Sequence, residues 1–89
     1  MNKDGEFKRN PDVSWRTIEG QAVLILNKEG EIQVLNEVGT YVWEHLDLPF
    51  EEIARNIAAA YEVQLDQARN DVTEFIEELQ KAGALVEKG

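Results

Sequence analysis

At Leu35-Asn36 the chain changes its hydrophobic period, and this change limits the possible folds more than any other feature. Before it, stretches of the sequence read in the two-residue alternation or short apolar runs of strands. After it, apolar residues recur at helical spacing. Asn36 is a suitable cap for a helix over Glu37 to Leu46, because its side-chain oxygen can accept an orphan N–H of the first turn. Strands followed by helices in 89 residues imply one small α+β domain.

The strand half divides into three pieces. Residues 1–12 are polar, contain Gly5 and the Asn10-Pro11 break, and are expected to form a flexible N-terminal arm before a domain over residues 13–87. Val13, Trp15, Thr17 and Glu19 share one parity of a first strand, with Trp15 as its expected core anchor. Gly20-Gln21 is the expected turn. Ala22-Val23-Leu24-Ile25-Leu26 is the most apolar stretch and reads as a central strand. Asn27-Lys28-Glu29-Gly30 turns the chain into a third strand, which carries Ile32 and Val34 on one face. Short turns between successive strands dictate antiparallel pairing, since parallel pairs need long crossovers.

Three helices are expected next. In the first, Val38, Tyr41, Val42 and Leu46 form an apolar stripe with Trp43 on its flank, and Asp47-Leu48-Pro49 ends it. The second places Phe50, Ile53, Ala54, Ile57, Ala58 and Tyr61 on one face, with Glu51-Glu52 at the positive end of the helix dipole. The third begins near Leu65 or Asp66. It carries Leu65, Ala68, Val72, Phe75, Ile76 and Leu79, and stops at Gly83. Ala84-Leu85-Val86 reads as a short extended piece returning to the sheet.

Charge and residue inventory remove whole classes of chemistry. Eighteen acidic residues against nine basic ones leave a formal charge of −9. Phosphate contacts dominate nucleic-acid affinity, and this chain has no basic stripe to make them, so no nucleic-acid partner is expected. No cysteine is present, which rules out disulfides and thiolate sites within the chain. Met1 to Asn10 lacks the apolar segment of a secretory signal, and no apolar run nears the roughly 20 residues of a membrane span. The expected setting is cytoplasmic, away from membranes.

No catalytic constellation is legible. His45 is the only histidine and Ser14 the only serine, and His45 has no second His or Cys for a metal. Near a helix end it reads as a partner for the negative end of the dipole. The adjacent pairs Glu51-Glu52 and Glu77-Glu78 point about 100° apart on a helix and do not converge. No glycine-rich phosphate loop occurs. Gly39 lies inside the first helix at a cost of up to about 1 kcal/mol, a position that would admit close approach by another backbone. No enzyme activity, cofactor or metal is expected.

Binding surface remains. A three-stranded meander leaves edge strands, and depending on strand order the third is one of them. An extended peptide can add to such an edge through main-chain hydrogen bonds, with side-chain pockets supplying specificity. The third helix would then wall the groove, although most of its apolar stripe must serve the core.

The ordered set Trp15-Arg16, Ala22-Val23-Leu24-Ile25-Leu26, Leu35-Asn36, Val42-Trp43 with Leu46, Glu52-Ile53-Ala54, Tyr61, Asp71-Val72, Phe75-Ile76, Leu79 and Ala82-Gly83-Ala84-Leu85 resembles the PqqD family. The resemblance implies a winged-helix-like fold, a three-stranded antiparallel sheet followed by three α-helices. It also implies a non-catalytic peptide chaperone, a RiPP precursor recognition element. Such an element binds the leader of a ribosomally made precursor peptide and presents it to a modifying enzyme. In pyrroloquinoline quinone biosynthesis that enzyme is a radical SAM protein. Carried onto this chain, the peptide-binding residues are Glu31, Ile32, Gln33, Val34 and Leu35 on the strand. On the helix they are Leu65, Ala68, Arg69, Val72, Phe75, Ile76 and Leu79, with Arg69 either solvated or paired to an acidic leader residue. Asp47-Leu48-Pro49 departs from the family's frequent Asp-Gly turn. The competing readings are a structural or dimerisation module and a DNA-binding winged helix. The chain is expected to be a monomer or a homodimer.

Overall fold

The computed structural model describes residues 7–27 and 29–87. In chain order the elements are β1 (Phe7–Arg9), β2 (Ser14–Ile18), β3 (Gln21–Ile25), β4 (Ile32–Val34), α1 (Glu37–Glu44), α2 (Phe50–Tyr61), α3 (Leu65–Lys81) and β5 (Leu85–Glu87). Strands β2, β3 and β4 form the expected antiparallel meander in that order, so β4 is an edge. Glu19 and Gly20, both at positive φ, make the two-residue turn between β2 and β3, one residue earlier than the sequence suggested. In the next turn Gly30 donates its N–H to the Asn27 carbonyl at 3.0 Å, and Lys28 lies outside the described residues.

Two expectations are corrected at the chain ends. The arm expected over residues 1–12 lies partly outside the described residues, but Phe7–Arg9 form a strand that pairs antiparallel with β5. The extended piece near Leu85 thus joins a separate two-stranded ladder, not the meander. Phe7 and Leu85 are buried in the core, and the Asn10 N–H donates to the Ala84 carbonyl at 2.8 Å. Three apolar-poor residues gain a partner only because helix α3 returns the chain beside them.

The tryptophans also exchange roles. Trp15 was the expected anchor, yet it remains 38% exposed, while Trp43 is wholly buried. The face that α1 buries comprises Gly39, Thr40, Val42 and Trp43, and Val38 and Tyr41 are only half-buried. Helix α1 is covered by the sheet and by α3, so a wider arc than one stripe is sealed. Arg9 reinforces this corner. Its guanidinium donates to the Trp43 carbonyl from Nε at 3.0 Å and from Nη2 at 2.6 Å. It also lies 4.9 Å from the Trp15 ring centroid and 5.4 Å from that of Trp43.

Asn36 caps α1 as expected, accepting the Gly39 N–H at 2.8 Å. Thr40, a buried polar residue of the core, ties this helix to the sheet: its hydroxyl oxygen accepts the Ala22 N–H at 2.9 Å. Thr40→Val keeps the shape but strands that buried N–H. A loss of about 1–3 kcal/mol is expected in denaturant unfolding. At the other end of α1, the His45 N–H bonds the Tyr41 and Val42 carbonyls, and its ring stacks on Tyr41 at 4.0 Å between centroids. The histidine is a helix-end residue, in keeping with its structural reading.

Candidate functional site: the free edge of β4

Pairing along β3 and β4 decides which backbone groups remain free. The Leu35 N–H donates to the Ala22 carbonyl and the Leu26 N–H to the Glu31 carbonyl, at 2.9 and 2.8 Å. Antiparallel ladders alternate, so Gln33 bonds with Leu24 between those two pairs. The N–H and C=O groups of Ile32 and Val34 therefore face away from β3, along an edge that no described strand occupies.

Helix α3 packs closely against α1 at Gly39. A Cβ built on Gly39 would stand 2.5 Å from Phe75 Cε1 and 3.0 Å from both Cδ1 and Cζ. The glycine thus admits a close approach, as expected, but the visitor is an aromatic ring and not a backbone. Gly39 lies in the first turn of α1, the helix that follows β4, so the Phe75 ring packs against the start of that helix. Gly39→Ala must displace that ring. Overpacking costs about 1–3 kcal/mol, and the better helix propensity of alanine returns up to about 1 kcal/mol. A net loss of thermal stability and altered Phe75 ring signals are the expected result.

The proposed binding residues separate into three groups in the structure. Glu31, Ile32 and Val34 are exposed, and Gln33 is half-buried. Leu65, Arg69 and Phe75 are half-buried and retain accessible surface. Leu35, Ala68, Val72, Ile76 and Leu79 are core residues. Ala68, Val72 and Leu79 are fully enclosed. Their apolar side chains hold α3 against its neighbours.

Arg69 has partners of its own. Its Nε donates to Glu51 Oε1 at 2.8 Å and Oε2 at 3.0 Å, and its Nη1 donates to Asp66 Oδ1 at 2.7 Å. Neither a purely solvated arginine nor one reserved for an acidic leader fits this arrangement. The hydrogen bond from Arg69 is the main reason that the Glu51 carboxyl titrates below its ordinary range, with desolvation acting in the opposite sense. A carboxyl depressed in the folded state stabilises above its unfolded pKa, and that contribution fades as pH falls through the lower folded value. Arg69→Met should therefore lower the unfolding temperature above the ordinary carboxylate range and flatten its fall with acid below that range.

Beside Phe75 the surface is acidic. Asp71, Glu74, Phe75 and Glu78 line a shallow depression of about 70 Å³. The grouping of these carboxylates was not among the features expected from the sequence. The spacing 71, 74, 75, 78 is one helical stripe and was the available signal. Among the described residues no group of three or more His, Cys, Asp or Glu side chains is arranged to hold a metal, and no helix is long and apolar enough to cross a membrane.

Comparison with known proteins extends these observations. The family model described as coenzyme PQQ synthesis protein D (PqqD) matches residues 21–85. Among solved structures, lasso peptide synthetase B1 complexed with the leader peptide is similar over 91% of this chain and 98% of its own, with a TM-score of 0.83 and 23% identity. TbiB1 in complex with the TbiA(beta) leader peptide is similar over 92% of this chain and 98% of its own, with a TM-score of 0.81 and 26% identity. No curated protein matches.

Proposed function

Because the chain belongs to the PqqD family, we propose that it is a leader-peptide recognition element that captures a ribosomally made precursor by strand addition to β4. The observation that carries this reading is the free edge of β4. Two residues offer backbone donors and acceptors there that the meander leaves unpaired, and α1, which follows the strand, is packed at Gly39 by Phe75 of α3. The likeness to TbiB1, a protein solved with a leader peptide, supports the same reading.

In this mechanism the chain performs no covalent chemistry. Main-chain hydrogen bonds to Ile32 and Val34 align the leader, and the accessible parts of Gln33, Leu65 and Phe75 read its side chains. The binding unit is the domain over residues 13–87, extended by β1. The tethered precursor is then presented to a modifying enzyme, whose local substrate concentration rises with the tether.

An amide-shift titration of the isotope-labelled protein with leader peptides encoded beside its gene tests the proposal. Shifts concentrated in residues 31–35 and 65–79 are expected. Their absence with every such leader, or their confinement to another surface, would reject it. A second reading, self-pairing of the same edge into a homodimer, draws on the exposure of Ile32 and Val34. The −9 charge of each copy opposes it, and sedimentation at several concentrations separates the two.

A further inference from the structure

The outer face of the sheet is apolar along β3 and β4. Ile32 and Val34 are 60% and 57% exposed, the highest values among the exposed large apolar side chains described. In the β3–β4 register Ile25 stands opposite Ile32 and Val23 opposite Val34, so these four form one patch on the face turned away from Leu24 and Ala22. Ile25 is itself 43% exposed. The row of cross-strand apolar pairs simply stops at the free edge.

A strand added to β4 continues that row. Its bonds would go to Ile32 and Val34, so the two peptide residues aligned with them project onto the outer face beside those side chains. The peptide residue between them projects to the opposite face, the one on which the helices pack. On α3, among those helices, Asp71, Glu74 and Glu78 line one depression together with Phe75. Asp71 accepts the Gln67 amide at 2.9 Å, and among the described residues no cation forms an ion pair with any of the three. Of the two cations of this helix, Arg69 is held by Glu51 and Asp66, and Lys81, one turn beyond Glu78, forms no ion pair among the described residues.

Resting on the peptide-binding reading above, we infer that the segment taken by β4 has an apolar–basic–apolar pattern. Two apolar residues, two positions apart, cover Ile32 and Val34. The Lys or Arg between them lays its apolar stem along Phe75 and sets its charge among the three carboxylates. The complementarity fixes the occupant as a basic extended peptide. An acidic strand would meet uncompensated like charge.

The test uses synthetic nine-residue threonine-rich strands with Val-Lys-Val, Val-Glu-Val or Ser-Lys-Ser at the centre, read by amide shifts so that millimolar affinities are measurable. They are titrated into the wild type and into the E74K/E78K double variant, whose fold is checked by circular dichroism. Val-Lys-Val is expected to bind at least about tenfold more tightly than either other strand, shifting residues 31–35 and 71–78. In E74K/E78K the order of Val-Lys-Val and Val-Glu-Val should reverse. Equal affinities, or a preference unchanged by the double variant, would overturn the pattern. If natural leaders still shift β4 in that case, the peptide-binding reading survives alone. If neither leaders nor synthetic strands shift β4, both fall.

Discussion

Trp43→Ala should remove about 3–5 kcal/mol of stability, the largest effect expected from any single substitution in this chain. The side chain is wholly buried and meets Trp15 edge to face, with ring centroids 5.8 Å apart at 88°. Its loss opens a cavity between α1 and β2 and takes away one ring against which the Arg9 guanidinium rests. A chain of 89 residues has a total stability of about 4–13 kcal/mol, so the variant should be partly or wholly unfolded near room temperature. One feature moderates the cost. The indole N–H of Trp43 is buried without a hydrogen-bond partner among the described residues. Trp43→Phe deletes that stranded donor while retaining much of the apolar volume, and should cost far less than the alanine. Denaturant unfolding of both variants measures the difference. A loss below about 1 kcal/mol for the alanine variant would contradict the central place given to this residue.

Val34→Pro is expected to weaken leader binding by tenfold to about a hundredfold while leaving the fold intact. Val34 directs its N–H away from β3, so proline deletes no bond of the existing ladder. Proline is tolerated on an edge strand for this reason. What it deletes is one donor toward an added strand, and its ring occupies the space where that strand would lie. A net main-chain hydrogen bond contributes about 0.5–1.5 kcal/mol, and the steric block adds to it. Val34→Thr keeps the backbone donor and serves as the control, with a much smaller expected change. The readouts are the unfolding midpoint and the peptide titration of each variant. Undiminished affinity in the proline variant would place the peptide elsewhere than on the edge of β4.

The sites of both substitutions were only partly visible in the sequence. Edge residues Glu31, Ile32, Gln33 and Val34 follow from a turn at Asn27-Lys28-Glu29-Gly30 and the helix cap at Asn36, both local signals. The division of α3 was not visible in the same way. Ala68, Val72 and Leu79 share the periodicity of Phe75, yet they are sealed in the core while the Phe75 ring reaches Gly39 and remains accessible. Periodicity marks the apolar face of a helix but not where a neighbouring element ends and leaves that face open. The charge of the groove was hidden similarly. Arg69 stood out as a possible partner for an acidic leader residue, but its partners come from α2 and the first turn of its own helix, and no ion pair among the described residues engages Asp71, Glu74 or Glu78.

Order and type of the three meander strands and three helices were determined by the sequence alone. Alternation, turn residues and the Asn36 cap act over a few residues and depend little on the rest of the molecule. Tertiary structure alone decided three other matters: the pairing of Phe7 with Glu87, the exchange of anchor role from Trp15 to Trp43, and the approach of Phe75 to Gly39. Each joins segments far apart in the chain. Such contacts depend on how whole elements pack, since the local preference of either partner is compatible with several arrangements. The free edge of β4 was written locally, and the wall that makes it a groove was set by packing.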